Sequence, residues 1–276
     1  MSLLNREGMW HVVERRLRAM QPELRGKRAV DIPAGVGESS RLLHELGAQV
    51  EAYDLFPGEF RAKGLTCRGA DLTSRLPIDD AHADFILCQE GIEHLPDQLH
   101  VLREFNRILR PGGRVLITTP NVSHLRARLS HFLVESDLYS RLPPSEVDAV
   151  WFGGDRPDEL YYGHVFLVGA AKLRVLGRLA GLTLDRVHGN HISAGSLLLG
   201  GLYPLILAAN GWAYLCSMRR DKHADSAWKQ RVYGEVLRLN VDPRILFCKH
   251  LIVEFRKHCE AAEVSAGLYQ KFRHAA

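Results

Sequence analysis

Gly35 and Gly37 in AGVGESS, Asp54 in AYDL and Asp71 in GADL have the residue types and order of a nucleoside grip. A residue without a Cβ lets backbone close on a ligand. Asp54 stands 17 residues beyond Gly37, placed to accept from ribose hydroxyls. Asp71 could accept from an exocyclic adenine amine, with Leu72 beside it. Proton chemistry falls to histidine, whose pKa lies nearest neutrality. His94 in EHL, His124 in SHL and His164 in GHVF are the candidate bases for a hydroxyl substrate, a role worth about 10²–10⁴-fold in rate. Each has a plainer alternative. His94 also reads as a helix-start residue bonded to backbone, and in a chain with 14 histidines His124 and His164 are easily chance placements. Glu90 and Glu93 are structural or bind a divalent ion; no clustered carboxylates demand one, and no metal is expected.

These residues need strands to place them. RAVDIP reads as a strand and SSRLLHELG as a helix closed by Gly47. QVEAYDLF alternates into a second strand, and LTCRGADL is a shorter third. ADFILCQE is a continuous apolar run, as in a strand buried on both faces. QLHVLREFNRIL sets Leu99, Leu102, Phe105 and Leu109 on one helical face before RPGG, and GRVLITTP is a fifth strand. Strands separated by helices of this length predict a parallel, doubly wound α/β sheet with ligands outside the strands' carboxyl ends. Gly35, Asp54, Asp71 and Gln89 all follow such ends.

The pattern weakens between Asn121 and Gly163, where prolines, aromatics and WFGGDRPDE predict an irregular, partly helical lid. It resumes with a helix through Leu173, Leu176 and Leu179 that ends at Gly181 and feeds a sixth strand, Leu182–His188. RILFCKHLIVEFRK, residues 244–257, predicts the last strand. So long a separation between these two strands implies an insertion. The expected organisation is an N-terminal helix at 1–25, a ligand-binding core at 26–190 with its lid at 121–163, an inserted apolar and basic helical segment at 191–243, and a last strand and tail at 244–276.

The formal charge of +4 conceals an asymmetry: from Arg219 to Ala276 there are 12 Lys/Arg against 7 Asp/Glu, and elsewhere 24 against 25. Anionic lipid or a phosphorylated substrate could meet that excess, which is also what a solvated basic helix shows. It is small and far from the expected cleft, with no aromatic-plus-basic track, so nucleic acid is not an expected partner. The five cysteines have neither CxxC pairing nor zinc spacing, which reads as a reduced, cytosolic chain. The N-terminus lacks a signal peptide's apolar core; Met9, Val13, Leu17 and Met20 instead recur at helical spacing. From Ile192 to Met218, 27 residues pass without Asp, Glu, Lys, Arg or His. The run is long enough to span a bilayer. Pro204, Asn210 and several glycines spoil it as a span, and a crossing would carry RRDKH and the last strand away from the sheet, against the positive-inside tendency. The expectation is a buried hairpin or, preferred, a segment at 192–222 lying on an anionic membrane surface.

GVGESS also nearly fits a dinucleotide fingerprint. Glu38, however, sets a negative charge where a pyrophosphate would sit on the helix N-terminus, and nothing downstream suits hydride transfer. S-adenosylmethionine has no phosphate and tolerates that glutamate. The sequence resembles the class I S-adenosylmethionine-dependent methyltransferases of the small-molecule type that includes the ubiquinone-biosynthesis O-methyltransferases. VDIPAGVG, VEAYDL, GADL, FILCQEGIEHL, LREFNRILRPGGRVLITTPN and GHVFLVGAAKLRVLGRLAGL carry the resemblance, over about residues 28 to 186. It departs at Pro33, where that family usually has glycine. The resemblance implies a Rossmann-like seven-stranded sheet with its last strand antiparallel. It also implies Gly35 and Gly37 along the methionine and ribose, Asp31 at the amino-acid end, Asp54 with Leu55 at the ribose, Asp71 with Leu72 at the adenine, and Gln89 near the methionine. The expected activity is methyl transfer to a small or lipid-linked acceptor, foremost O-methylation of a sugar or sugar phosphate in bacterial surface-glycan synthesis. A quinone or other lipid acceptor comes next, then a non-catalytic scaffold; a nucleotide-dependent oxidoreductase ranks below these. The expected location is cytoplasmic, or peripheral on the inner face of the membrane.

Overall fold

The computed structural model describes residues 9–153, 156–220 and 226–273. In chain order the helices are α1 (Met9–Ala19), α2 (Gln21–Leu24), α3 (Glu38–Glu45), α4 (Gln98–Ile108), α5 (Leu125–Val134), α6 (Ala170–Leu179), α7 (Ala194–Leu198), α8 (Tyr203–Arg220), α9 (Ser226–Val241), α10 (Pro243–Phe247) and α11 (Ala261–Arg273). The strands are β1 (Arg28–Asp31), β2 (Gln49–Asp54), β3 (Cys67–Gly69), β4 (Ala83–Gln89), β5 (Leu109–Pro120), β6 (Val150–Gly153), β7 (Arg156–Tyr162), β8 (Leu182–His188) and β9 (His250–Lys257).

Seven strands form one sheet in the order β3-β2-β1-β4-β5-β9-β8. The first five are parallel, and β9 inserts antiparallel between β5 and β8. This is the Rossmann-like sheet expected. The central strands are apolar on both sides because both sides are covered. Val30, Ile86 and Ile117 face one core with Phe105, Leu102 and Leu173 of α4 and α6. Their neighbours Ala29, Phe85, Leu87 and Leu116 face a second core with Val13 and Leu17 of α1 and Leu42 and Leu43 of α3. The strand order reverses between β1 and β4, so a crevice opens where their carboxyl ends diverge.

Two elements differ from the sequence reading. The stretch predicted as a continuous last strand begins instead with a helical turn: Asp242 caps α10 by accepting from the Arg244 N–H at 2.8 Å, with Pro243 in the first turn. The strand proper starts only at His250. The lid read as irregular and partly helical contains α5 and an antiparallel hairpin, with Val150 opposite Tyr162 and Phe152 opposite Leu160. The apolar run Ile192–Met218 is helical through α7, a short 3₁₀ turn and α8, and α8 lies against α9.

A charge cluster ties β9 to its surroundings. Glu254 is fully buried and accepts from Arg16 at 2.8 Å and Arg114 at 3.1 Å, with His188 Nε2 at 3.2 Å. Burial opposes its ionisation, yet the bonds from His188 and Arg16 and the neighbouring arginine charges win, holding its carboxyl down at about 2. A carboxylate depressed in the folded state stabilises it above the unfolded pKa of roughly 4.3 and loses that contribution as pH falls toward 2. Replacing Glu254 with Ala is expected to cost about 2–3 kcal/mol near pH 7, because the half-buried Arg16 and Arg114 lose their partner. Chemical denaturation at pH 7 and at pH 3 checks this: the difference between wild type and variant should shrink at the lower pH.

Candidate active site

The glycine turn after β1 is built for close backbone approach. Gly35 and Gly37 both take positive φ, +53° and +89°. A Cβ on Gly37 would lie 2.6 Å from the Phe60 ring and 2.8 Å from Ala62, so no side chain fits there. The turn is anchored to β2: the Gly35 N–H donates to Asp54 Oδ2 at 2.8 Å, while the Phe56 N–H donates to Oδ1 at 2.8 Å. Asp54 therefore reaches the crevice as a rigidly held carboxylate with lone pairs left over. Gly91 after β4 is equally constrained, since a Cβ there would meet the Pro33 ring at 2.6 Å.

A cavity of about 510 Å³ lies at the carboxyl ends of the strands. Asp54, Leu55, Asp71 and Leu72 line it, together with Phe56 and Leu95. Glu90, Gly91, His94 and Pro33 line it too, as do Trp151, Leu160, Tyr161 and Tyr162 of the hairpin. The edge of Tyr161 packs on Phe56 at 5.0 Å between centroids, which ties the hairpin to the loop after β2. Asp71 serves the turn as well as the cavity: Oδ1 accepts from the Thr73 N–H at 2.7 Å and its hydroxyl at 2.8 Å.

Other sequence candidates lie off these walls. Asp31 is fully buried, and its Oδ2 accepts from the Ser40 hydroxyl at 2.5 Å. Its Oδ1 has no hydrogen-bond partner. Burial first, and the Asp54 charge besides, push its pKa up to about 7 despite the Ser40 bond. A buried carboxylate oxygen without a partner fits a cationic group from a ligand, such as the ammonium of a methionine moiety. Gln89 points to α3, its Oε1 accepting from the Ser39 hydroxyl at 2.9 Å.

The three histidines separate cleanly. His124 is buried at the start of α5, where Nδ1 accepts from the Ala127 N–H at 3.3 Å and lies 2.8 Å from the Ser196 hydroxyl of α7. Burial first, and then nearby cations including Arg126 and Lys249, lower its pKa to about 4. It is a structural tie outside the cavity, not the substrate-facing base its place after the fifth strand suggested. His94 is the one in the cavity wall. Its Nδ1 is 2.7 Å from the Tyr162 carbonyl oxygen. A carbonyl only accepts, so Nδ1 carries the proton and Nε2 is left as an acceptor. The bond to backbone is the one its helix-start reading expects, here to the Tyr162 carbonyl. His164 is exposed, its ring 5.1 Å from that of His94, and burial with the His94 charge lowers its pKa.

Residues with no metal-ligand spacing in the sequence converge here. Glu93, His94 and His164 each offer a ligand atom, all within 4.8 Å of one another. Glu93 is fully buried; Oε2 accepts from Thr119 Oγ1 at 3.0 Å and Oε1 has no partner. Burial raises its pKa to about 7, and burial plus the Glu93 charge do the same to Glu90. Glu90 sits at φ +47°, sparsely populated for a residue with a Cβ. Sequence spacing showed Glu93 beside His94 but not His164, which the hairpin returns to them.

A switch-point cavity with an acid at the tip of β2, beneath a seven-stranded sheet with an antiparallel β9, defines a nucleoside-dependent transferase of the class I type. The comparisons agree. A family model described as methyltransferase domain matches residues 6–187, and the chain belongs to that family. It is a class I S-adenosylmethionine-dependent methyltransferase, with S-adenosylmethionine as methyl donor. Among curated relatives, a ubiquinone biosynthesis O-methyltransferase from Aeromonas salmonicida is 30% identical over 60% of this chain and 67% of its own length. One from Xanthomonas euvesicatoria is 31% identical over 44% of this chain and 54% of its own. The chain thus spans between about half and two thirds of these relatives. An S-adenosylmethionine-dependent methyltransferase structure from Archaeoglobus fulgidus shares the fold, at TM-score 0.51 and 16% identity over 91% of this chain and 95% of that one.

Proposed function

We propose that the protein methylates a hydroxyl on a small, uncharged ring, with His94 as the general base. The bound donor supplies an electrophilic methyl on its sulfonium. Asp54, Leu55, Asp71 and Leu72 would hold the adenosyl part and Asp31 the amino-acid ammonium. Methyl transfer is an in-line displacement that builds up little charge, so alignment and water exclusion under the hairpin supply most of the rate. The acceptor proton is the remaining obstacle, and His94 Nε2 is the acceptor atom the Tyr162 carbonyl leaves available. That one bond carries the proposal.

The cavity walls bear on the acceptor. Among the described residues they present Phe56, Trp151, Tyr161 and Tyr162 together with three carboxylates, and no Lys or Arg. A sugar phosphate would meet the acids of these described walls without a cation among them to pair it. A phenol or quinol ring, free or lipid-linked, stacks on these aromatics at no such cost. The ubiquinone-biosynthesis relatives point the same way, so this acceptor class displaces the sugar phosphate first expected; a neutral sugar hydroxyl is the runner-up.

A second reading rests on the convergence of Glu93, His94 and His164. A divalent cation there would lower the pKa of an acceptor hydroxyl directly. Transfer of labelled methyl to a panel of catechols, neutral sugars, sugar phosphates and amines tests both readings at once. Label on a catechol, unaffected by EDTA and by His164→Gln, supports the base. Loss with EDTA, restored by Mg²⁺, Mn²⁺ or Zn²⁺ and abolished by His164→Gln, selects the cation. Label only on amines or sugar phosphates contradicts the proposed acceptor.

A further inference from the structure

The longest uncharged stretch of the chain also exposes several large apolar side chains. Ala194–Arg220 is long and apolar enough to cross a membrane by length and composition, and only 6% of it is buried. Large apolar side chains point outward along it: Leu198 is 88% exposed, Leu205 and Trp212 each 67%, with Leu202 and Leu215 also open. Leu205, Trp212 and Leu215 recur at intervals of seven and three along one side of α8, and Leu198 and Leu202 precede them in α7 and the 3₁₀ turn. The stripe ends on Arg219 and Arg220, both exposed.

The opposite side of α8 is tied to the domain. The Tyr203 hydroxyl donates to the Val241 carbonyl at 2.9 Å, Asn240 Nδ2 donates to Asn210 Oδ1 at 3.1 Å, and Lys229 Nζ donates to the Met218 carbonyl at 2.9 Å. α9 is fixed in turn, because its Glu235 pairs with Arg174 and Arg178 of α6. A crossing by α8 would have to strip these bonds and draw charged α9 after it. α8 is therefore held along the surface of the domain with its apolar stripe outward.

We infer that this stripe lies in the interfacial layer of an anionic bilayer. Three observations select that occupant over another protein. The stripe lacks interspersed charge along its length, whereas protein interfaces ring an apolar centre with a polar rim. Trp212 sits among the leucines, an amphipathic ring suited to headgroup depth. The cations gather at one end, continued in sequence by Lys222, where acidic headgroups would pair with them. This inference is independent of the acceptor reading, since none of these residues lines the cavity.

The test is co-sedimentation of the full chain with vesicles of phosphatidylcholine alone or with about 30% phosphatidylglycerol, a composition that sets a surface potential. The chain should pellet with the anionic vesicles and be released by high salt. Arg219→Gln and Arg220→Gln should each weaken partition about fivefold. Leu205→Glu with Trp212→Glu should abolish pelleting while adenosylhomocysteine binding, measured in parallel, stays intact. Should that pair fail to fold, Leu198→Glu carries the same expectation. A chain that stays in the supernatant with both vesicles overturns the inference. So does unchanged pelleting of the Leu205→Glu, Trp212→Glu variant, or a lipid-free dimer that this variant splits.

Discussion

Asp54→Asn should bind S-adenosylhomocysteine about 10- to 100-fold more weakly than wild type, in line with loss of charge-assisted hydrogen bonds to a ribose. Asparagine is the informative replacement. Its amide oxygen can still accept one of the two amides, from Gly35 and Phe56, that anchor the wild-type carboxylate. Alanine would leave both N–H groups unpaired and mix lost binding with lost stability. Isothermal titration measures the affinity, and a thermal melt of the unliganded variant separates the two effects. An unchanged dissociation constant would remove Asp54 from the ligand site.

His94→Gln should lower kcat by about 10²–10⁴-fold on a hydroxyl acceptor. Glutamine can still donate to the Tyr162 carbonyl, which keeps the hairpin contact, but it cannot take up a proton. Adenosylhomocysteine affinity should change little, because the grip on the donor is assigned to Asp54, Asp71 and Asp31 and not to His94. Single-turnover transfer of labelled methyl reads the chemical step. Activity within threefold of wild type would leave His94 no part in it.

The parallel core was legible because its signals are local. Apolar runs such as FILC need a sheet covered on both faces, and a glycine turn followed by an acid at a strand tip is written within a few dozen residues. The hairpin was not legible. GGDRP reads as a loop because glycine and proline punctuate it, yet VWF and LYY pair across it. The start of the last strand was misread although its signal was present. Asp242 followed by Pro243 is a helix N-terminus, and it was outweighed by the apolar run that follows. His124 shows the limit of residue chemistry: nothing in SHL reveals that Ser196, far along the chain, will take its ring. The cluster of Glu93, His94 and His164 is of the same kind, since spacing tells nothing about which loop folds back.

These corrections narrow the site. Of the three candidate bases only His94 lines the cavity, and of the acids Asp54, Asp71 and Glu90 do so, while Asp31 is off its walls with an unpaired oxygen. Held by two amides, Asp54 barely needs to reorganise when ligand arrives, which is the condition for an acid to contribute most to affinity.

The central claim is that the crevice above β1, β2 and β4 seats the donor with its sulfur turned toward the hairpin. A crystal structure of the protein grown with S-adenosylhomocysteine tests it most directly. The account predicts both ribose hydroxyls on Asp54, the adenine edge at Asp71 beside Leu72, the ammonium at Asp31, and the sulfur facing the space between His94 and Tyr162. A ligand seated elsewhere, or in this crevice with its sulfur pointing away from His94, would contradict it.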